Sequence, residues 1–201
     1  MPNYCTNILE IHGEDEDIEK FLTAIRTSED YYGYNILSNL LPTPKELAET
    51  PSAWYGDKTL QAEQNEKEAN NIAKYGYKDW YDWNCANWGT KWTDDQTHIV
   101  KQQPTYCSLL FTTAWCAPEK AFDRIATMFP SLTFILSYYE EGNGFVGATA
   151  YKNDLRSESY TEEIDIPFSE DEYDFDAISE AYEAMREACV LQVKEQIYDA
   201  V

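Results

Sequence analysis

Residues 106–151 read YCSLLFTTAWCAPEKAFDRIATMFPSLTFILSYYEEGNGFVGATAY, and this stretch decides the fold. Tyr106 to Ala114 reads as a strand. Pro118 stands where a helix would start, because a first-turn N–H has no intrahelical partner to lose. Phe122, Ile125, Ala126 and Phe129 then recur at helical spacing, and Pro130 closes the helix. Leu132, Phe134, Leu136 and Tyr138 alternate, as a half-buried strand requires. Gly142-Asn143-Gly144 supplies a turn, and Phe145 to Tyr151 returns antiparallel. The unit is strand, helix, strand, hairpin.

Working outward, the N-terminus carries the same signal. Cys5, Asn7, Leu9 and Ile11 alternate with Tyr4, Thr6, Ile8 and Glu10, which predicts a strand from Tyr4 to His12 ended by Gly13. Ile18, Phe21, Leu22 and Ile25 form an amphipathic stripe, and the acids of 14–17 suit the positive end of that helix. Tyr34 to Leu41 reads as a second strand, stopped by Pro42-Thr43-Pro44. Residues 45–95 read as an insertion. Within it Ala62 to Lys74 is a polar helix, and Trp80, Trp83 and Ala86 or Asn87 are helically spaced before Gly89. His98 to Gln102 opens the second half as a strand. Beyond the hairpin, Ser157 to Ile166 reads as a further strand. Ile178, Tyr182, Met185, Cys189, Val193 and Ile197 mark a long C-terminal helix. A doubled βαβ order predicts an α+β, ferredoxin-like antiparallel sheet with helices on one face. The expected division is one domain over 1–168, with an acidic helix over 169–201 packed on it.

Composition narrows the function. The chain has 201 residues and a formal net charge of −22, yet aromatics make up 15%, which a disordered acidic chain would not carry. The charge is uneven: residues 154–201 hold 15 acids against three bases. Such a field repels nucleic acid and anionic membranes and attracts basic surfaces. The longest apolar runs are far short of the roughly 20 residues of a membrane span. The N-terminus lacks a basic region followed by an apolar one, so a cytoplasmic setting is expected. The five cysteines are odd in number and widely spaced, which predicts free thiols.

Several segments carry a likeness. Met1 to Asn7, the LLPTPKEL stretch of 40–47, the WYDWNCANWGTKW run of 80–92, and Phe134 to Gly147 with its EEGNGFVG ending resemble the YubB ferredoxin-like family. The likeness covers roughly residues 1–150, and 87–92 is its most specific part. It implies a ferredoxin-like domain carried by phage and plasmid genomes of a bacterial host, with no catalytic residues to transfer. The acidic tail, 154–201, lies largely outside it.

Chemical constellations are sparse. Iron–sulfur and zinc sites need closely spaced cysteines, and the nearest pair here is Cys107 and Cys116. No metal or other cofactor is therefore expected. A nucleophilic Cys116 would need His12 or His98 as its base. Ser169 to Asp176 is acid-rich but lacks the glycine an EF-hand loop requires, and Ser169 with Glu172 suits a capping box. The aromatic 142–147 segment has acids where an RNA-binding strand carries a base, so direct nucleic-acid binding is not expected. Trp80, Trp83, Trp88 and Trp92 form either an aromatic mini-core or a partner contact.

Asp176, Glu180, Glu183 and Glu187 fall on one helical face, and Glu170, Asp171 and Glu172 precede them. Aligned carboxylates repel one another, so a chain that keeps them is expected to use them on a cationic counterpart. The leading expectation is a non-enzymatic interaction protein. Its acidic face would occupy the basic surface of a nucleic-acid-binding host or defence protein by mimicking nucleic-acid charge. Two alternatives stand beside it. One is a small enzyme or ligand-binding domain near Trp88, Trp92 and Trp115, with His98 or Cys116 as the titratable group. The other is a structural oligomer such as a homodimer.

Overall fold

The computed structural model describes residues 3–27, 33–93, 97–157, 160–163 and 175–199. Its core motif is β1 (Tyr4–His12), α1 (Asp15–Ile25), β2 (His98–Gln103), β3 (Tyr106–Ala114), α6 (Glu119–Met128) and β4 (Thr133–Glu140). These strands lie in the order β2-β3-β1-β4, all antiparallel, which is the ferredoxin-like arrangement. The sheet continues through β5 (Phe145–Lys152), against which β6 (Leu155–Arg156) and β7 (Tyr160–Glu163) both pair.

β1 is the central strand and shows why the alternation matters. Cys5, Asn7, Leu9 and Ile11 are buried, while Thr6, Ile8, Glu10 and His12 on the other face are half-buried. The buried row meets α1 through Ile18, Phe21, Leu22 and Ile25, and α6 through Phe122, Ile125 and Ala126. Phe21, Phe129 and Phe134 interlock at centroid distances of 5.1–6.5 Å in tilted and edge-on contacts, a geometry aromatic quadrupoles favour.

Two expectations change. Tyr34 to Leu41 is not a strand. Tyr34 makes isolated bridges to Arg26 and Thr97, and α2 (Ile36–Leu40) follows. Asn35 caps it, its side chain accepting the Ser38 N–H at 2.9 Å. Ile36, Leu37, Leu40 and Leu41 then share one helical side, which a period of two would have split between faces. The second strand of the motif is therefore β2, and the insertion lies between α1 and β2. It comprises α2, α3 (Lys45–Ala48), α4 (Lys58–Tyr75) and α5 (Trp80–Asn87).

The second correction concerns the layers. Helices do not lie on one face alone. The C-terminal helix α7 (Phe175–Asp199) packs on the opposite face, over β4 and β5. Cys189, Val190, Val193 and Ile197 meet Ile135, Val146, Ala148 and Ala150 in a second apolar cluster. The small side chains of β5 let the helix come close. Of the expected 157–166 strand, Tyr160–Glu163 forms β7, Ser157 follows β6 outside any strand, and residues 158–159 and 164–166 lie outside the described residues.

The insertion is pinned by polar as well as apolar contacts. α4 begins at Asp57, which accepts the Thr59 and Leu60 N–H groups, and ends at Gly76 with φ of 79°. That left-handed turn is where glycine is favoured. Its buried side chains are amides: Asn71 donates to Thr50 and to the Lys78 carbonyl, and Gln64 to the Pro51 carbonyl. Ion pairing of Lys74 with Glu46 at 2.6 Å adds a surface tie.

Candidate functional site

α7 covers only part of its sheet face. Beside it, Tyr4, Thr6, Ile8, Glu10 and His12 of β1 form the neighbouring strip. Two cavities open here. The larger, about 620 Å3, is lined by Asn3, Tyr4, Thr6, Tyr139, Glu140, Glu141 and Gly142. The smaller, about 170 Å3, runs beneath α7 between Ile8, Tyr139, Glu141, Ser179, Tyr182, Glu183 and Arg186. Tyr139 and Glu141 belong to both.

The strand register builds the larger cleft. Thr6 pairs Tyr139 directly, so Tyr4, Thr6 and Tyr139 face the same side. Tyr4 is 56% exposed and stands edge-on to Trp92, with ring centroids 5.4 Å apart. Tyr139 is backed by Tyr182 of α7 at 5.7 Å. The β4–β5 turn forms the far wall. Glu140 is buried there, and its carboxylate accepts the Gly142 and Asn143 N–H groups at 2.7 Å each. A Cβ on residue 142 would displace the Asn3 amide and crowd that carboxylate. Glu141, next in the chain, is exposed.

The acidic row of α7 borders the same strip. Glu180, Glu183 and Glu187 are exposed, and among the described residues none of the three is in an ion pair. Spacings of three and four put them on one side of the helix. That side is a flank rather than the outermost face, since Glu183 lines the smaller cavity. Lys194, seven residues beyond Glu187 on the same flank, reaches Glu10 of β1 at 2.8 Å. Arg186 donates to Ser137 Oγ at 3.3 Å rather than to the carboxylates. Asp176 falls in the first turn of α7, while Glu170, Asp171, Glu172 and Ser169 lie outside the described residues.

Glu10 is the site's most perturbed acid. Burial pushes its pKa up, but hydrogen bonds from His12 and Lys194 outweigh that and hold it down at about 2.

The tryptophans divide. Trp83 and Trp88 are buried in the main core, edge-on at 5.9 Å, and the Trp88 indole N–H donates to the Leu41 carbonyl at 2.8 Å. Trp80 and Trp92 are half-buried, and Trp92 reaches the cleft through Tyr4. Trp115 is exposed, with φ of 70°. Cys116 is not beside either histidine. His12 pairs Tyr106 at one end of β3, while Cys116 follows Ala114 at the other, eight residues or about 26 Å of strand away. His98 pairs Leu110, four residues or about 13 Å short of Ala114. The Cys116 thiol instead donates to the Gly89 carbonyl at 3.0 Å, and burial pushes its pKa up. All five cysteines are free thiols. Burial pushes Cys107 up to about 11 and Cys5 higher still. Among the described residues no group of three or more His, Cys, Asp or Glu side chains is placed to hold a metal ion. No described helix is long and apolar enough to cross a membrane.

Sequence reasoning found the acidic row but missed the cleft. The available signal was the tyrosine pair Tyr4 and Tyr139, each on the strand face opposite the main core.

No curated protein sequence matches the chain. The solved structure of Api92 from Yersinia pseudotuberculosis is similar at a TM-score of 0.48 and 12% identity, covering 84% of this chain and 100% of that one. Residues 87–184 match a family model described as "Ferredoxin-like domain in Api92-like protein". Over that span, from the end of α5 into α7, the chain is thus similar to the ferredoxin-like domain of Api92-like proteins.

Proposed function

We propose that this chain is a non-enzymatic acidic interaction domain that occupies the basic, nucleic-acid-binding surface of another protein. The observation that carries the reading is the row Glu180, Glu183 and Glu187, exposed on a docked helix and in no ion pair among the described residues. Its supporting context is the net charge of −22, concentrated toward the C-terminus. Neighbours at these spacings lie about 5–6 Å apart, a scale comparable to the phosphate repeat of nucleic acid. The mechanism is competition by charge. Long-range attraction speeds encounter, and screening by salt weakens it. The resemblance to the YubB ferredoxin-like family of phages and plasmids suggests a host or competing defence protein as the partner. The setting would then be the bacterial cytoplasm.

The test is displacement. A basic DNA-binding protein carrying a labelled duplex is titrated with this chain. Wild type is expected to release the duplex, more weakly as salt rises from about 50 to 200 mM. The Glu180→Lys, Glu183→Lys, Glu187→Lys triple variant is expected to release none. Displacement indifferent to both salt and charge reversal would refute mimicry.

A further inference from the structure

We infer that the cleft between Tyr4 and Tyr139 is a receptor for an arginine side chain presented by a polypeptide partner. This deepens the reading above, since it names the side chain that a basic partner would insert beside the acidic helix.

The argument begins with shape. The cleft of about 620 Å3 falls within the range of specific ligand sites, about 300–1,000 Å3. It exceeds the needs of one ion and suits a long side chain with some of its flanking backbone. Tyr4 lies two residues from Thr6, the direct partner of Tyr139, so the two tyrosines are diagonal neighbours on one sheet face. Such positions are about 7–8 Å apart. The two side chains therefore flank the cleft, and a planar group entering it can lie against a ring face at about 3.5–4.0 Å. Guanidinium is planar, stacks on aromatic faces and is weakly hydrated for a cation.

Charge selects the same ligand. Among the described residues no lysine, arginine or histidine lines this cleft, whereas Glu140 and Glu141 do. Glu140 is satisfied by two turn amides, so it fixes the wall. Glu141 is exposed at the cleft and is the carboxylate available to a guanidinium fork. The rings are held before any ligand arrives. Trp92 supports Tyr4 from one side and Tyr182 supports Tyr139 from the other. An aromatic pair held in place with a carboxylate at its rim recognises a cation by its charge and its flat face together. A flexible ammonium satisfies only the first of these.

A polypeptide source is favoured by the surroundings. The cleft shares Tyr139 and Glu141 with the smaller cavity, which Glu183 of the α7 carboxylate row also lines. An extended basic segment could seat one arginine in the cleft while its other cations lie along Glu183 and Glu187.

The experiment measures binding of three matched hexapeptides to the full chain by calorimetry, their central residue being arginine, lysine or neutral citrulline. The arginine peptide is expected to bind at least about five-fold more tightly than the lysine peptide, and more tightly still than the citrulline one. Tyr4→Ala and Glu141→Gln, both at exposed positions, are each expected to erase the preference for arginine over lysine, and Tyr4→Phe to keep it. Equal affinity for the arginine and lysine peptides would overturn the inference, as would a preference that survives both variants. Free arginine amide binding as tightly as the peptide would overturn the polypeptide source. A Glu180→Gln, Glu187→Gln variant separates this inference from the broader reading. It should weaken the arginine and lysine peptides alike and leave their ratio intact. If it weakens neither, the helix-face reading fails while the cleft stands.

Discussion

Glu10 shows how one side chain can tie two layers together. It sits on β1, its side chain is only 13% exposed, and Lys194 reaches it from α7 across nearly the whole chain. Its pKa falls from 4.5 to about 2 on folding. A carboxylate depressed in the folded state stabilises the fold above its unfolded pKa and loses that contribution as pH falls through the folded one. That contribution, reduced by solvent screening at this partly exposed pair, is fully present at neutral pH and lost between pH 4.5 and about 2. Urea unfolding of wild type and Glu10→Gln at a series of pH values checks this. The two should differ clearly at pH 7, and the gap should close across that window. A gap unchanged at pH 2 would remove Glu10 from the acid response. Its local partner His12 stands two residues on along the same strand, but Lys194 lies 184 residues away and no short-range pattern marks it. Asn35 is the opposite case. A cap residue followed by apolar residues at 36, 37, 40 and 41 was legible as a helix start, and reading it with period two produced the mistaken strand.

At the level of elements, α7 is held by its docking stripe. Val193 is fully buried against β4 and β5, so Val193→Asp places an uncompensated charge in the second cluster. We expect a loss of about 3–5 kcal/mol, read as a lower urea midpoint together with dye binding to the bared face of β5. Ala188→Asp, at an exposed position on the same helix, should change stability by less than about 0.5 kcal/mol. The second layer was partly readable. Ile135 and the Val146, Ala148, Ala150 series are apolar on the strand face opposite the main core, which a solvated face would not be. Strands β4 and β5 are therefore buried on both sides. β1 and β3 are not wholly covered on the α7 face, and the cleft forms where that cover ends.

For the whole molecule, the net charge of −22 works against compactness as well as for partner binding. Salt should act on the two in opposite directions. Raising ionic strength from about 10 to 150 mM shortens the screening length from roughly 30 to 8 Å. Self-repulsion falls, so the melting temperature should rise by several degrees, read by scanning calorimetry, while affinity for a basic partner drops. A melting temperature independent of salt would show that the folded chain's charges are already balanced locally.

The sequence by itself determined the strands β1, β3, β4 and β5, the amphipathic helices α1 and α6, the C-terminal helix and its acidic flank. Each of these is written in a local period that burial of one face enforces. Only the tertiary structure decided that β2 completes the motif, that α7 lies across the far side of the sheet, and that Tyr4, Tyr139 and Glu141 meet in one cleft. Those outcomes depend on register and on which elements meet, α7 with β4 and β5 across tens of positions and Tyr4 with Tyr139 across more than a hundred, which no short-range pattern encodes.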